Sequence, residues 1–323
     1  MHKYLYLFIF IIICILFLCC KKNKTTFVVN DISVNTDATF EKAKYIQNEA
    51  IIVGGIRFDE ANIYRLNEQN ELYKIDLPNN ASHKEIYGLD ISAQGKIIAV
   101  GYDASVYVSN DTGKSWVFIQ NDNWKNFQAV AFRDADTAYI VSSTGFSLGG
   151  IYTIDKDGIG NNIPLIEKNF STDDIDFVNE KIGYICGYGA ILKTIDGGET
   201  WDFTTAQNDY FKSMSWKNEY EGIAVGYAGS IFQTNDGGDT WKKIRNGNDV
   251  LIKKIHFTSV ENNGNQTYIA VGDKGYVFIS INNGDSWSEV ENFTSKDLKG
   301  IGFKNENEAM IVGEKGAVFL IKI

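Results

Sequence analysis

Residues 222–241 read Gly-Ile-Ala-Val-Gly-Tyr-Ala-Gly-Ser-Ile-Phe-Gln-Thr-Asn-Asp-Gly-Gly-Asp-Thr-Trp, and residues 183–201 repeat nearly the same text. Weaker copies end at Trp116 and Trp287. In each copy an apolar run ends at a glycine, a short turn follows, and a second run leads through Ser or Thr into an Asp- or Asn-containing turn before the Trp. Asp and Asn can accept backbone N–H bonds inside such a turn, and Gly supplies the positive φ angle. Each copy is therefore predicted to be a β-hairpin followed by a tight turn.

The glycine that closes each apolar run recurs along the chain, and we call these residues the marker glycines. They are Gly54, Gly101, Gly187, Gly226, Gly272 and Gly313, with a degenerate equivalent near Ser142. The average interval is about 43 residues, which is the length of a four-stranded propeller blade. The sequence thus predicts an all-β, seven-bladed β-propeller of four-stranded antiparallel blades. The predicted blades lie near 40–81, 82–124, 125–169, 170–209, 210–250, 251–296 and 297–323.

The last predicted blade is one strand short, because the chain ends after the run at 317–323. An open strand edge there would favour aggregation. The first blade already has four runs, which leaves residues 25–30 unassigned. We expect these residues to supply the outer strand of the last blade and to close the ring, within a tether at 21–39.

The first 20 residues have the pattern of an export signal. A basic start at His2 and Lys3 precedes an apolar run at 4–18, and Cys19-Cys20 precedes three lysines. This pattern predicts a lipoprotein signal peptide with Cys20 as the lipidated residue. The alternative is an uncleaved membrane helix, but the run is short for a span and the lysines that follow it disfavour export of the C-terminal side.

Composition excludes several classes of function. The net charge of −10 and the presence of only four arginines argue against nucleic-acid binding. The chain shows no Cys/His cluster and no Gly-rich phosphate loop, so neither a metal nor a cofactor is expected. Asp155 and Asp157 suggest a calcium loop, but Ile159 and Ile166 stand where further oxygen ligands would be needed. Cys186, alone in an apolar run, is predicted to be a core residue.

The repeated text resembles a known family. The pattern Val-Gly-x-x-Gly-x-Ile-x-x-Thr-x-Asp-Gly-Gly-x-Thr-Trp, at 186–201 and 225–241 with Cys186 in the place of the first Val, resembles the photosystem II stability and assembly factor family of seven-bladed propellers with BNR (Asp-box) repeats. The resemblance extends over residues 25–323. It implies a scaffold that assists or stabilises a protein assembly in the cell envelope. Units one and three depart from the pattern, because they lack a complete box.

The box residues are predicted to be structural. Their acids and amides hold the turns and their indoles pack beside them. The set comprises Asp111, Trp116, Asp196, Trp201, Asp236, Trp241, Asn282 and Trp287.

A glycan-binding or sialidase-like propeller is the alternative function. A sialidase site needs three arginines that converge on the sugar carboxylate, together with acids at the channel mouth. Arg65, Arg133 and Arg245 fall at non-equivalent positions of their units, so catalysis is not expected.

The residue that follows each marker glycine varies from unit to unit, and we call these positions the ring residues. They are Tyr102, Tyr188, Tyr227, Asp273 and Glu314. Recognition requires such differences, and Tyr contributes apolar area with a hydroxyl group. Longer loops on the same face add Arg57, Phe58 and Phe146. The alternative is that these aromatic residues only pack between blades.

The sequence therefore predicts a noncatalytic, lipid-anchored, extracytoplasmic propeller that binds an envelope or membrane protein. A monomer is expected.

Overall fold

The computed structural model describes residues 26–120, 124–143, 149–155, 158–160, 170–247 and 254–323. These residues form strands, two 3-10 helices at Tyr102–Ala104 and Asp273–Gly275, and turns, with no α-helix among them. Within these ranges no helix has the length and apolar character that crossing a membrane would need.

The strands are numbered in chain order. They are β1 (Val28–Asp31), β2 (Thr39–Ile46), β3 (Glu49–Ile56), β4 (Glu60–Leu66), β5 (Leu72–Lys74), β6 (Ile86–Ile91), β7 (Ile97–Gly101), β8 (Ser105–Ser109), β9 (Val117–Gln120), β10 (Asn126–Phe132), β11 (Ala138–Ser143), β12 (Gly150–Asp155), β13 (Gly158–Ile159), β14 (Ser171–Phe177), β15 (Gly183–Thr194), β16 (Asp202–Trp216), β17 (Gly222–Gly226), β18 (Ile231–Thr234), β19 (Lys242–Arg245), β20 (Phe257–Asn262), β21 (Tyr268–Gly272), β22 (Val277–Ser280), β23 (Ser288–Glu289), β24 (Leu298–Asn305), β25 (Glu308–Gly313) and β26 (Ala317–Lys322).

The sheets are antiparallel meanders, as a propeller requires. Five sheets have four strands, in the orders β2-β3-β4-β5, β6-β7-β8-β9, β10-β11-β12-β13, β20-β21-β22-β23 and β1-β26-β25-β24. The sixth has six strands, β14 to β19. One strand from each of the seven predicted units borders one central cavity, to which β2, β6, β10, β14, β16, β20 and β24 all contribute residues, and we call these the innermost strands.

The predicted number of seven separate blades is corrected by this topology, because the described residues form six sheets. The fourth and fifth predicted units share one sheet through β16, which is 15 residues long. The first part of β16 pairs with β15, as in Leu192 with Phe203, and its last part pairs with β17, as in Met214 with Ala224. No Gly or Pro interrupts β16. The outer strand of one unit therefore continues directly into the innermost strand of the next.

The second strand of each unit is apolar on both faces. All five residues of β7, β17 and β21 are buried. The core clusters lie between consecutive sheets; one of them joins Ile51 and Ile63 to Ile86 and Ile97. Because each sheet is covered on both sides, its central strands read as continuous apolar runs instead of alternating ones.

The marker glycines allow a close backbone contact. Each pairs with a residue at or next to the start of an innermost strand, as Gly101 does with Ile86 and Gly272 with Phe257. A Cβ atom on Gly101 would lie 2.3 Å from the carbonyl oxygen of Glu85, and one on Gly187 would lie 1.8 Å from that of Ser171. Atoms cannot approach so closely, so a side chain would force the two strands apart.

A register shift follows this pairing in all seven innermost segments, including the third, where Ser142 stands in the place of a marker glycine and pairs with Phe127. The residue that is skipped at each shift, which we call the bulge residue, is Glu41, Tyr87, Gln128, Asp173, Lys212, Thr258 or Lys299. A bulge bends its strand and re-aims its side chains. The shift thus marks seven equivalent units even though they form six sheets.

The ring is closed by the N-terminal strand, as the sequence predicted. β1 pairs with β26, with Val29 opposite Ile321 and Asp31 opposite Phe319. The strand begins at Val28 instead of residue 25. Two further bonds, from the N–H groups of Ile32 and Val34 to the carbonyl groups of Val318 and Gly316, extend the contact.

Deletion of residues 25–30 should lower the melting temperature, because β26 would lose most of its outer pairing partner and expose a row of N–H and C=O groups. Thermal unfolding and size-exclusion chromatography measure the change. Val28→Ser is the matched control, since that side chain is 71% exposed. An unchanged melting temperature in the deletion variant would contradict a stabilising role for β1.

Candidate functional site at the channel mouth

The central cavity is small and charged. Its volume is about 60 Å³, and its charged lining residues are Lys42, Lys44, Asp90, Asp174, Asp176 and Glu261. The Lys44 Nζ lies 2.6 Å from Asp90 Oδ1. The Lys44 side chain remains 40% exposed, so solvent reaches this ion pair through the channel.

Several polar side chains of the cavity connect neighbouring units. Asp90 Oδ2 accepts the N–H of Phe132 from the next innermost strand at 2.7 Å. Asp174 Oδ2 accepts bonds from the N–H of Met214 and the hydroxyl of Ser213, each at 3.0 Å. A carboxylate that accepts backbone N–H groups forms strong, charge-assisted hydrogen bonds. These acids therefore hold the inner strands together.

Burial changes the protonation of the cavity. It raises the pKa of Asp176 to about 8, an effect that Lys44 opposes and that Asp90 and Glu261 reinforce. Burial also raises the pKa of Glu261. For Lys44 burial alone would lower the pKa, but the charges of Asp90 and Glu261 outweigh it and the pKa is raised. The pKa values of Lys44, Asp176 and Glu261 are thus all raised in this cavity.

Asp176→Asn should stabilise the protein increasingly as pH rises from 5 to 9. The folded-state pKa of Asp176 is raised above its ordinary value, so folding is opposed once the unfolded chain can release this proton. The cost grows from about pH 4 and is complete above about pH 8, and the amide avoids it. Urea unfolding at several pH values gives the difference from wild type. Asp136→Asn, at an exposed turn, is the control; a pH-independent difference for Asp176→Asn would refute the prediction.

The ring residues lie at the end of the channel where the innermost strands begin. Four of them donate their backbone N–H to the carbonyl of the residue just before the innermost segment: Tyr102 to Glu85 at 3.0 Å, Tyr227 to Tyr210 at 2.7 Å, Asp273 to His256 at 3.1 Å and Glu314 to Asp297 at 2.9 Å. Tyr188 differs, since its N–H bonds to the hydroxyl of Ser171 at 3.2 Å. The repeated bond places these side chains at equivalent positions around the mouth.

Two of the ring tyrosines belong to a row of four aromatic rings, which we call the aromatic strip: Tyr188, Tyr210, Tyr227 and His256. The ring centroids of Tyr188 and Tyr210 are 5.6 Å apart, and those of Tyr210 and Tyr227 are 5.5 Å apart. His256 stacks on Tyr227 at 4.1 Å with an interplanar angle of 22°. Tyr188 and Tyr227 remain 48% and 45% exposed. The strip is therefore accessible from solvent.

Charged groups flank the strip. The Lys212 Nζ lies 5.2 Å from the centre of the Tyr210 ring and also forms an ion pair with Asp173. Asp273 Oδ1 accepts the N–H of His256 at 3.1 Å, and its Oδ2 lies 3.4 Å from His256 Nδ1. The acidic ring residue Asp273 thus adjoins the strip directly.

A second aromatic cluster surrounds Tyr102, with Phe58 at 5.0 Å and Tyr87 at 6.4 Å between ring centroids. Arg57 lies 5.3 Å from the Phe58 ring, and Phe58 is 64% exposed. Burial raises the pKa of the neighbouring Glu85 to about 7, although a hydrogen bond from Tyr87 opposes the shift. This cluster combines exposed aromatic area with a cation.

The last ring residue, Glu314, lies in the acidic part of the mouth. Burial raises the pKa of the bulge residue Glu41, and the charge of Glu314 adds to this effect while Lys299 opposes it. Phe146 and Cys20 lie outside the described residues.

The Asp boxes lie at the far end of the third strands. Thr234, the last residue of β18, pairs with Gly222, the first residue of β17. The marker glycine Gly226 is the last residue of β17, so the box and the marker glycine lie at opposite ends of that strand. The hydroxyl of Thr234 bonds to Asp236 Oδ1 at 2.8 Å, and Asp236 accepts the N–H and the hydroxyl of Thr240. The same bonds recur around Asp111 and Asp196. At Asn282 the Oδ1 accepts from the Ser280 hydroxyl and the Ser286 N–H, and the Nδ2 donates to the Ser286 hydroxyl. Similar hydrogen bonds lower the pKa values of Asp111 and Asp196 to about 2.

The box tryptophans pack beside these turns. The indole N–H groups of Trp116, Trp201 and Trp287 donate to the carbonyls of Gly113, Gly198 and Gly284. Trp241 packs against Trp216, with ring centroids 5.7 Å apart.

The arginines do not converge. Arg65 pairs with Glu49, Arg133 with Asp134, and Arg245 donates to the carbonyl of Gly229. Among the described residues no group of three or more His, Cys, Asp or Glu side chains is arranged to hold a metal ion. Cys186 is completely buried, and burial raises the pKa of its thiol.

Sequence reasoning missed Tyr210, Tyr87, His256 and the charged cavity. Tyr210 and His256 share one signal, because each is the residue immediately before an innermost segment and 17 positions ahead of a ring residue, Tyr227 and Asp273 respectively. Aligning the units on the bulge instead of the marker glycine would have placed these side chains beside the ring.

Comparisons with known proteins identify the repeat and the fold. Residues 162–261 match the family described as photosynthesis system II assembly factor YCF48. No match was found among curated proteins.

Among solved structures, a catalytically inactive virginiamycin B lyase from Staphylococcus aureus with quinupristin is 11% identical, with a TM-score of 0.75, and the alignment covers 92% of this chain and 99% of that one. The WD40 repeats of RRP9 are 9% identical, with a TM-score of 0.72 and coverage of 91% and 97%. At these identities the likeness shows the propeller fold alone.

A structure of YCF48 bound to D1 peptide is 16% identical and covers 77% of this chain and 96% of that one, with a TM-score of 0.49, too low to support an argument. The resemblance predicted from the Asp-box repeats is confirmed by the family match over residues 162–261, and the chain as a whole has a β-propeller fold.

Proposed function

We propose that this protein is a noncatalytic, protein-binding propeller that assists or stabilises a protein assembly, with its partner bound at the channel mouth. The observation that carries the proposal is the exposed aromatic strip, whose rings come from successive units and stand at positions that vary around the ring. Exposed tyrosines held on a rigid scaffold are typical anchors of protein interfaces. The family match at 162–261 supports an assembly role.

The contrast between the two ends of the propeller supports this assignment. In four units the box residue forms a side-chain hydrogen bond with the Ser or Thr hydroxyl four residues later, as a structural role requires. The ring residues share a backbone bond in four units but differ in side chain. A surface with a constant backbone and variable side chains can present a different contact in each unit.

A glycan-active propeller is the alternative function. The separate ion pairs of Arg65 and Arg133 leave neither guanidinium at a shared carboxylate site. A glycan-hydrolysis screen of the purified protein discriminates this reading from the binding function.

We also propose that the protein is an extracytoplasmic lipoprotein anchored through Cys20. The support is the apolar run at 4–18 that ends in Cys19-Cys20 and is followed by lysines. The range 21–39 contains both the tether and the closing strand β1, so an anchor at Cys20 would lie near the outer strand of the closing sheet.

Simultaneous replacement of Tyr102, Tyr188 and Tyr227 by alanine should weaken partner capture by about 1 to 3 kcal/mol if any of them is a central anchor. Pull-down from native envelopes with quantitative mass spectrometry measures the loss. Asp236→Ala is the control at the opposite end; it should lower stability by about 1 kcal/mol and leave capture by the folded protein intact. A folded triple variant that captures the same partners as wild type would refute the proposed face.

Cys20→Ser should abolish lipidation and release the protein from membranes, since serine offers no thiol for the thioether bond. Incorporation of labelled fatty acid and membrane fractionation test this, with Cys186→Ser as the control for an internal thiol. Labelled, membrane-bound Cys20→Ser protein at wild-type levels would show that the anchor is not Cys20.

A further inference from the structure

The aromatic strip carries a more specific statement about the partner, which rests on the proposed function. We propose that the strip receives an extended, positively charged segment of the partner, whose arginine or lysine side chains pack on Tyr188 and Tyr227 and pair with Asp273. The strip has three centroid spacings between 4.1 and 5.6 Å, so it is at most about 15 Å long. An extended chain covers that length with about five residues.

The protein already holds a cation on this strip. The Lys212 ammonium lies 5.2 Å from the Tyr210 ring centroid, and Asp173 forms its ion pair. Tyr210 Oη also lies 3.3 Å from Asp173 Oδ1. This arrangement of a ring face, an ammonium and a carboxylate is the arrangement expected for cation–π binding. The neighbouring residues Tyr188 and Tyr227 are 48% and 45% exposed, so a solvent cation can approach both rings, although His256 covers one face of Tyr227.

Asp273 supplies the matching carboxylate at the end of the strip. Its side chain is 22% exposed, and it approaches both the backbone N–H and the Nδ1 of His256. These two contacts hold the Asp273 carboxylate beside the His256 imidazole, which stacks on the Tyr227 ring. A guanidinium on Tyr227 could therefore gain a ring contact and an ion pair together, as arginine does at many protein interfaces.

Charge favours a cation over an anion here. Two lysines beside the strip are already paired with acids, Lys212 with Asp173 and Lys243 with Asp209 at 3.4 Å. The chain as a whole carries a net charge of −10, which attracts basic segments and repels acidic ones. The second aromatic cluster differs, because Arg57 lies on it. That difference provides a matched control within the same face.

The test uses the full-length protein in mild detergent and three fluorescent nine-residue peptides. Their Gly/Ser backbones are identical, and three positions carry arginine, glutamine or glutamate. Anisotropy titrations at low and moderate salt should show that the arginine peptide binds at least about tenfold more tightly than the others.

The double variant Tyr188→Leu/Tyr227→Leu should weaken arginine-peptide binding by about 2- to 5-fold per ring, although it leaves the net charge unchanged. Tyr188→Phe/Tyr227→Phe keeps the ring faces and should bind as wild type does. Asp273→Asn should also weaken binding, whereas Arg57→Gln should not. Circular dichroism spectra and melting curves establish that each variant is folded.

Two results would overturn the cationic occupant. One is equal or tighter binding of the glutamate peptide. The other is arginine-peptide binding that the leucine variant leaves unchanged, which would show attraction to the net charge alone. Native partner capture that depends on the ring tyrosines, without an arginine preference, would overturn this inference and leave the proposed function standing. An arginine preference that depends on the strip, with unchanged native capture in the triple alanine variant, would overturn the proposed function alone.

Discussion

The close contact between each marker glycine and the start of the innermost strand is the constraint on which this architecture depends. At Gly187 a Cβ atom would stand 1.8 Å from a carbonyl oxygen, and at Gly54 1.9 Å. Because no side chain intervenes, the backbone N–H of the next residue can reach the same carbonyl group in four units. The register shift then occurs one residue further along the innermost strand. One missing side chain thus positions a ring residue outside the channel and a bulge residue at its edge.

The same constraint explains why the mouth can be chemically diverse while the frame stays constant. The ring residue is fixed through its backbone, so its side chain is free to differ, and Tyr227 and Asp273 occupy equivalent positions with opposite chemistry. The inner strands, by contrast, are linked through side chains. Asp90 and Asp174 reach the backbone of the next unit, and each link depends on a particular acid. Variation is therefore tolerated at the rim and restricted inside the channel.

Much of the propeller fold could be predicted from the sequence, because the repeat contains residues with unusual backbone or hydrogen-bonding properties. Gly226, Asp236 and their equivalents indicated the turns, and the spacing of the repeats indicated an all-β meander. The strand missing from the last unit indicated the closing strand. The joining of units four and five could not be predicted, since nothing in the residues before Tyr210 distinguishes a continuing strand from a strand followed by a loop. The aromatic strip was predicted only in part. Tyr188 and Tyr227 follow a marker glycine, but Tyr210 and His256 have no glycine or box beside them, and only the packing of successive units brings them into line.

The continuous strand β16 has a consequence for how the chain can be rearranged. A circular permutant opened at the formal unit boundary between Asn208 and Tyr210 would cut the one strand that pairs with both β15 and β17, next to the register shift at Asn208. The turn around Gly264 is different, because no atom lies within 4 Å of the space that a Cβ atom would occupy there. New termini or an inserted domain would be accommodated at that turn, on the side away from the mouth. The two units that look most alike in sequence thus share one strand, and new termini are better placed away from it.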